Sequence, residues 1–177
     1  MDNKFIFAGF GGQGILFAGK VAVTAGLKDD KEVSWLPSYG PEMRGGTANC
    51  SVCISDEPIG SPLVVNPTVL VAMNQPSFDK FIDKVVPGGL VVIDSTLVSV
   101  EHVRDNIRLI SIPATQMAEE KGLKGLANII LLGKVFEETQ FCSYDGLAAG
   151  VDYAVPASKK HLVESNMKAI ELGRAFA

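Results

Sequence analysis

The sequence predicts an α/β domain, a three-layer α/β/α sandwich around a mostly parallel sheet, with a glycine turn directly after the first strand. Three observations predict it. Short apolar runs alternate along the chain with amphipathic segments of helical period, the pattern that builds parallel strands joined by crossover helices. Two of those runs, "TVLVAMN" and "GGLVVIDS", are apolar at nearly every position, as strands covered on both faces must be. "GFGGQG" stands between the first apolar run and the first helical segment, where a strand-turn-helix junction needs its glycines.

Residues 4–8, "KFIFA", form the first strand, and "ILFAGKVAVTAGLKDD" the helix after it, its apolar residues recurring at helical spacing. "EVSWLP" and "TANCSVCIS" are the second and third strands. They follow one another with no crossover helix, so the sheet can be mixed here, with an antiparallel pair. "SDEPIGSP" is turn material, and "TVLVAMN" is the fourth strand. In "QPSFDKFIDKVVP" the residues Phe78, Phe81, Ile82 and Val85 share one helix face, and Pro87 marks the exit. "GGLVVIDS" and "IRLISIPA" complete the strands. "TQMAEEKG" reads as a helix capped by Thr115, "LKGLANIILLGKVFEET" as an apolar helix against the sheet, and "SKKHLVESNMKAIELGRAFA" as a final helix capped by Ser158 after Pro156. Residues 1–177 are expected to form one domain without internal repeats.

Composition removes several function classes. The net charge of -4, without clustered Lys and Arg, argues against nucleic acid as a partner, because phosphate neutralisation needs such clusters. No apolar stretch reaches the ~20 residues of a membrane-spanning helix. The opening "MDNKFIFAGFGG" lacks the apolar core of a signal peptide, so a cytoplasmic location is expected. Cys50, Cys53 and Cys142 make an odd count that suits a reducing compartment. Cys50 and Cys53 form a C-x-x-C, but in a strand side chains three apart point to opposite faces and cannot grip one metal ion; both read as buried structural thiols. His102 and His161 lie in polar segments, no Ser or Cys comes with an evident base, and no metal-ligand spacing is present. The chain alone lacks a catalytic set.

Gly9, Gly11 and Gly14 match G-x-G-x-x-G as a Rossmann-like glycine turn after strand one. The N–H groups of the following helix start, with its positive dipole end, favour a phosphate or carboxylate. A dinucleotide site also needs an acidic residue at the end of the second strand, which here reads "WLPS". Asp29, Asp30 and Glu32 stand before or at its start, so the nicotinamide or flavin reading loses its confirming residue. No Gly-Lys-Ser/Thr follows, which excludes a P-loop. Gln13, after Gly11 and Gly12, is expected to project at the lip of the sheet toward an anion or a partner. The loop from Ser38 to Thr47 leaves the sheet at the same carboxyl edge. Within it Gly40, Gly45 and Gly46 allow close approach, Pro41 stiffens the middle, and Arg44 is a fixed cation that Glu42 can orient. Asn74 and Gln75 follow the fourth strand and can extend this edge, although Asn74 is also placed to cap the next helix. Asn128 and Asn166, on apolar helix faces, read as satisfied buried polar residues.

Together "FAGFGGQGILFAGKVAVTAG", "SYGPEMRGGTANCSVCISDEPIGSP", "LVAMNQPSFDKF", "GGLVVIDST", "ANIILLG" and "SNMKAIELG" resemble, in order and over nearly the whole chain, the gamma subunit of 2-oxoacid:ferredoxin (or other acceptor) oxidoreductases. The resemblance implies a multi-subunit enzyme that uses thiamine diphosphate with Mg2+ to decarboxylate a 2-oxoacid, iron–sulfur clusters to pass electrons to ferredoxin or another acceptor, and coenzyme A to take the acyl group. Nothing here resembles the Gly-Asp-Gly and Asn element that holds the thiamine diphosphate magnesium, and three scattered cysteines cannot ligate a four-cysteine cluster. Those groups therefore belong to alpha, beta and ferredoxin-like delta partners. The resemblance gives this chain an edge facing them and the coenzyme A side. That edge comprises Gly9, Gly11, Gly12, Gln13 and Gly14; the loop Ser38, Tyr39, Gly40, Pro41, Glu42, Met43, Arg44, Gly45, Gly46 and Thr47; and Asn74 with Gln75. The pattern is most similar to the 2-oxoglutarate branch, then to branched-chain 2-oxoacid enzymes, then to pyruvate or indolepyruvate enzymes. A free-standing nucleotide-binding or regulatory module is the reading from another class, and saturable NAD or flavin binding by the isolated chain would favour it.

Overall fold

The computed structural model describes residues 2–38 and 47–177; Tyr39, Gly40, Pro41, Glu42, Met43, Arg44, Gly45 and Gly46 lie outside the described residues. Six strands form one sheet: β1 Asn3–Gly9, β2 Glu32–Ser38, β3 Ala48–Ser55, β4 Val69–Ala72, β5 Leu90–Asp94 and β6 Arg108–Ile112, in the order β2-β3-β1-β4-β5-β6. β3 runs antiparallel to both its neighbours, and the remaining pairs are parallel. The sheet is thus mixed, as the direct step from the second strand to the third allows. Because β3 occupies the place beside β1, the carboxyl end of β2 stands two strand spacings, roughly 10 Å, from the glycine turn. Its nearest neighbour across the sheet is instead the start of β3, where Ala48 pairs with Gly9. On the other side of β1 lies β4, so the chain leaves β1 in both directions and a crevice opens at the carboxyl ends of β1 and β4.

Alternation along the strands divides the core. In β1, Phe5 and Phe7 face one side while Ile6 and Ala8 face the other. The first side carries the helices α1 Ile15–Lys28, α3 Ala114–Glu120 and α4 Ala127–Thr139; α5 Tyr144–Ala154 packs on α1, and α6 Val163–Ala175 on α4. The second side is covered by α2 Gln75–Phe81, the 3-10 turn Ile82–Lys84, and loops that bring in Val64 and Val98. The three layers are unequal in depth. β4 and β5 are buried throughout, as their unbroken apolar runs require. Cys50 belongs to the first side and Cys53 to the second, which separates the C-x-x-C pair as expected.

The structure differs from the sequence expectations in its caps and in one helix. Thr115 does not cap α3, which starts at Ala114. The backbone N–H and hydroxyl of Thr115 both donate to Asp94, so the carboxylate that satisfies this helix start comes from β5. Ser158 lies inside a 3-10 segment, Ala157–Leu162, and α6 begins at Val163 without a side-chain cap. α5 is an additional element. Ser143 caps it through Gly146 N–H (2.9 Å), and the Ser143 hydroxyl donates to Asp29 Oδ1 at 2.7 Å. Asp29, the C-cap of α1, thus ties the end of α1 to the start of α5.

Candidate functional site

The turn between β1 and α1 is built from backbone and one carboxamide. Gly12 (φ 91°) and Gly14 (φ 73°) take left-handed conformations that a side chain disfavours. Gly14 is the N-cap of α1, which has neither a capping side chain nor an acidic residue in its first turn. Among the described residues, no side chain caps that helix start, which leaves its N–H groups and positive dipole end available. Gly11 and Gly12 are exposed, and a Cβ on Gly12 would meet nothing within 4 Å, so the turn is open main chain at Gly12 among the described residues.

Two side chains hold the turn from within. Gln13 Oε1 accepts from Phe10 N–H at 2.6 Å, and Gln13 Nε2 donates to Met73 O at 2.9 Å, just beyond β4. A Cβ on Gly9 would stand 2.6 Å from Gln13 Oε1, so the absence of a side chain at Gly9 makes room for this carboxamide. On the opposite flank Asn128 Nδ2 donates to Gly14 O at 2.9 Å, and a side chain on Gly14 would strike the Asn128 amide. Gln13 is therefore half-buried and engaged at both ends instead of projecting freely. Asn128 and Asn166 are buried as expected but only half satisfied: each Nδ2 is bonded, while each Oδ1 lacks a partner among the described residues.

Asn74 takes the capping role: its Oδ1 accepts from Ser77 N–H at 2.8 Å. Gln75 donates to Asp79 at 2.9 Å and accepts from Ser99 N–H at 2.9 Å, which ties α2 to the segment after β5. Ser38 is exposed and Thr47 half-buried at the two ends of the loop whose Arg44 and Glu42 lie outside the described residues. Two residues of this edge were not singled out from sequence. Asp94, fully buried at the end of β5, accepts from Thr96 N–H (3.1 Å), Thr115 N–H (3.1 Å) and the Thr115 hydroxyl (2.5 Å). Its signal was a carboxylate closing an otherwise apolar strand. Phe10 stands 41% exposed among the glycines.

Two clefts flank the turn. One, about 250 Å³, lies toward α3 and α4 and is lined by Gly12, Gln13, Met73, Thr115, Glu119 and Lys124 among others. The second, about 320 Å³, runs from Phe10, Gly11 and Gly12 to Leu16, Phe17 and Ala48. Among the described residues this edge supplies backbone donors and a helix dipole, with Lys124 and Glu119 together on one flank. It can bind and orient an anionic or carbonyl-bearing group. His102 and His161 are exposed surface residues. Burial pushes the Cys50 thiol up to about 12 against smaller lowering by Trp35 and Phe7, and pushes Cys142 up to about 12 with help from Asp29. Neither is a nucleophile at neutral pH. Among the described residues no three His, Cys, Asp or Glu side chains gather as a metal site, and no helix is long and apolar enough to cross a membrane. The positions of the cysteines, two on opposite faces of β3 and one before α5, do not fit an iron–sulfur cluster.

The sequence profile of the pyruvate ferredoxin/flavodoxin oxidoreductase family matches residues 4–176. The chain is 38% identical to the 2-oxoglutarate synthase subunit KorC of Methanocaldococcus jannaschii, over 100% of this chain and 95% of that one. It is 37% identical to the ketoisovalerate oxidoreductase subunit VorA of Methanothermobacter thermautotrophicus over 96% of its own length, but spans only 35% of that longer relative. Among solved structures, the gamma subunit of a keto/oxoacid ferredoxin oxidoreductase from Geobacter sulfurreducens superposes with a TM-score of 0.82 at 30% identity, covering 97% of this chain and 96% of that one. With the fold, the glycine turn and nearly every residue of the chain inside that match, the chain belongs to the pyruvate ferredoxin/flavodoxin oxidoreductase family.

Proposed function

We propose that the chain is the gamma subunit of a multi-subunit, cytoplasmic 2-oxoacid:ferredoxin oxidoreductase, and that its complex converts 2-oxoglutarate, coenzyme A and two oxidised ferredoxins to succinyl-CoA, CO2, a proton and two reduced ferredoxins. The observation that carries this reading is the end-to-end similarity to a 2-oxoglutarate synthase subunit of nearly the same length. The chemistry of the edge supports it. Among the described residues the glycine turn presents main chain, with Glu119 and Lys124 on its flank, which suits a subunit that binds and positions while partners react. Thiamine diphosphate with Mg2+ and the iron–sulfur clusters, which supply decarboxylation and electron transfer, are assigned to the alpha, beta and delta subunits. This chain contributes the glycine edge, whose N–H groups would meet a phosphate of coenzyme A. Arg44 would meet another phosphate, or a carboxylate of substrate or partner.

The similarity to a ketoisovalerate subunit at nearly the same identity favours branched-chain 2-oxoacids as the second substrate reading. Tagging the chain in its host and purifying it gently without oxygen tests both. Larger chains with iron–sulfur absorbance and coenzyme A-dependent oxidation of 2-oxoglutarate are the expected result. Preference for 2-ketoisovalerate would select the second reading, and recovery of the chain alone, with saturable NAD or flavin binding, would replace both.

A further inference from the structure

We infer that Gln13 is the positioning residue of the glycine edge: its carboxamide fixes where the exposed N–H groups of the turn stand, and so sets the affinity of the assembled enzyme for coenzyme A. The inference rests on the reading of that edge proposed above. A turn with left-handed residues at Gly12 and Gly14 and an exposed Gly11 has many conformations open to it, and ordering them on binding would cost affinity. Gln13 removes that freedom beforehand. One end of its amide closes on Phe10 N–H within the turn and the other on Met73 O across the crevice. Met73 is itself fixed, because its N–H donates to Ala8 O at 2.9 Å and continues the β1–β4 ladder. The turn is thereby registered to the sheet, while its outer side at Gly12 stays open. Both ends of the carboxamide are engaged within the chain, so Gln13 acts on the co-substrate through the turn it holds.

Three substitutions in the assembled complex separate this role from general stability and from the reading of the edge. Gln13→Met keeps the volume and removes both bonds; Gln13→Glu keeps an acceptor for Phe10 N–H and loses the donor to Met73 O; Gly12→Ala strains the turn itself, because Gly12 has φ 91°, and leaves the Gln13 carboxamide in place. Gln13→Met is expected to raise KM for coenzyme A about tenfold with kcat within about twofold and KM for the 2-oxoacid unchanged, and Gln13→Glu to raise it at least as much, because it also sets a carboxylate against Met73 O and beside the phosphate. Gly12→Ala is expected to raise the same KM. If Gly12→Ala raises it and neither Gln13 variant does, the brace is overturned while the edge reading stands. If none of the three moves it, the edge reading fails and the inference with it. Equal losses in kcat and in both KM values, tracking lost assembly, would make Gln13 purely structural and also overturn the inference. Should the Gln13 variants not assemble, hydrogen exchange in the unaltered full chain without its partners decides: Phe10 N–H must exchange at least about a hundredfold more slowly than its exposed turn neighbour Gly12, and equal rates overturn the brace.

Discussion

Cys50 and Cys142 show how burial alone decides what a side chain can do. Each thiol is raised from 9.0 to about 12 in the folded chain, chiefly by desolvation. Below about pH 9 both folded and unfolded states keep these protons, and the full stability is present. Between 9 and 12 the unfolded chain releases protons that the folded chain retains, so stability falls as pH rises, by up to about 1.4 kcal/mol per pH unit for each thiol. Urea unfolding at about pH 8 and about pH 10.5 is expected to show that loss, and Cys50→Ala to remove part of its slope. Alkylation of the native chain at neutral pH is expected to be slow at both sites. Arg44 is a different case, a cation whose proposed value lies in the complex. Arg44→Ala is expected to change stability of the isolated chain by less than about 0.5 kcal/mol while impairing turnover of the assembled enzyme. Unchanged kinetics for coenzyme A and every 2-oxoacid would remove Arg44 from the site.

Helix starts are where sequence and structure part company, and the reason is that a cap can come from elsewhere in the chain. Asn74 was legible as a cap because the acceptor and the helix it serves are adjacent, and Asn74→Ala is expected to lower stability by about 1 kcal/mol in chemical denaturation. Asp94 was not legible, since it serves α3 across twenty-one residues through Thr115. Asp94→Ala leaves the two Thr115 donors and Thr96 N–H without their acceptor, and is expected to cost about 3 kcal/mol in the same measurement. α5 escaped because Gly146 and Gly150 look like loop residues. Their lack of side chains is what α1 requires: a Cβ on Gly150 would stand 2.8 Å from Val21 O. The apolar strands, in contrast, were readable because burial on both faces acts on every residue of β4 and β5. In the candidate site, the glycine pattern was readable but the brace was not, because Gln13 finds Met73 sixty residues away.

At the scale of the molecule, topology sorts the chain into a protected centre and an exposed flank. β1, β4 and β5 are central and buried, whereas β2 is an edge strand whose Trp35 and Leu36 are 39% and 37% exposed. In the isolated chain, hydrogen exchange is expected to be slowest in β1, β4 and β5 and faster along β2, because an edge strand opens without disrupting the core. The glycine turn should behave unevenly. Its inner N–H groups at Phe10 and Gln13 are bonded, while Gly11 and Gly12 face outward. If this edge meets the catalytic subunits, assembly must slow exchange at Gly11, Gly12 and Thr47 more than at β6 on the far side of the sheet, because only the former lie at the carboxyl edge beside β1 and β3. Protection gained mainly at β6 or at the opposite, amino edge would instead put the partners there, and the glycine turn would then have to be read as a fold element without a binding role.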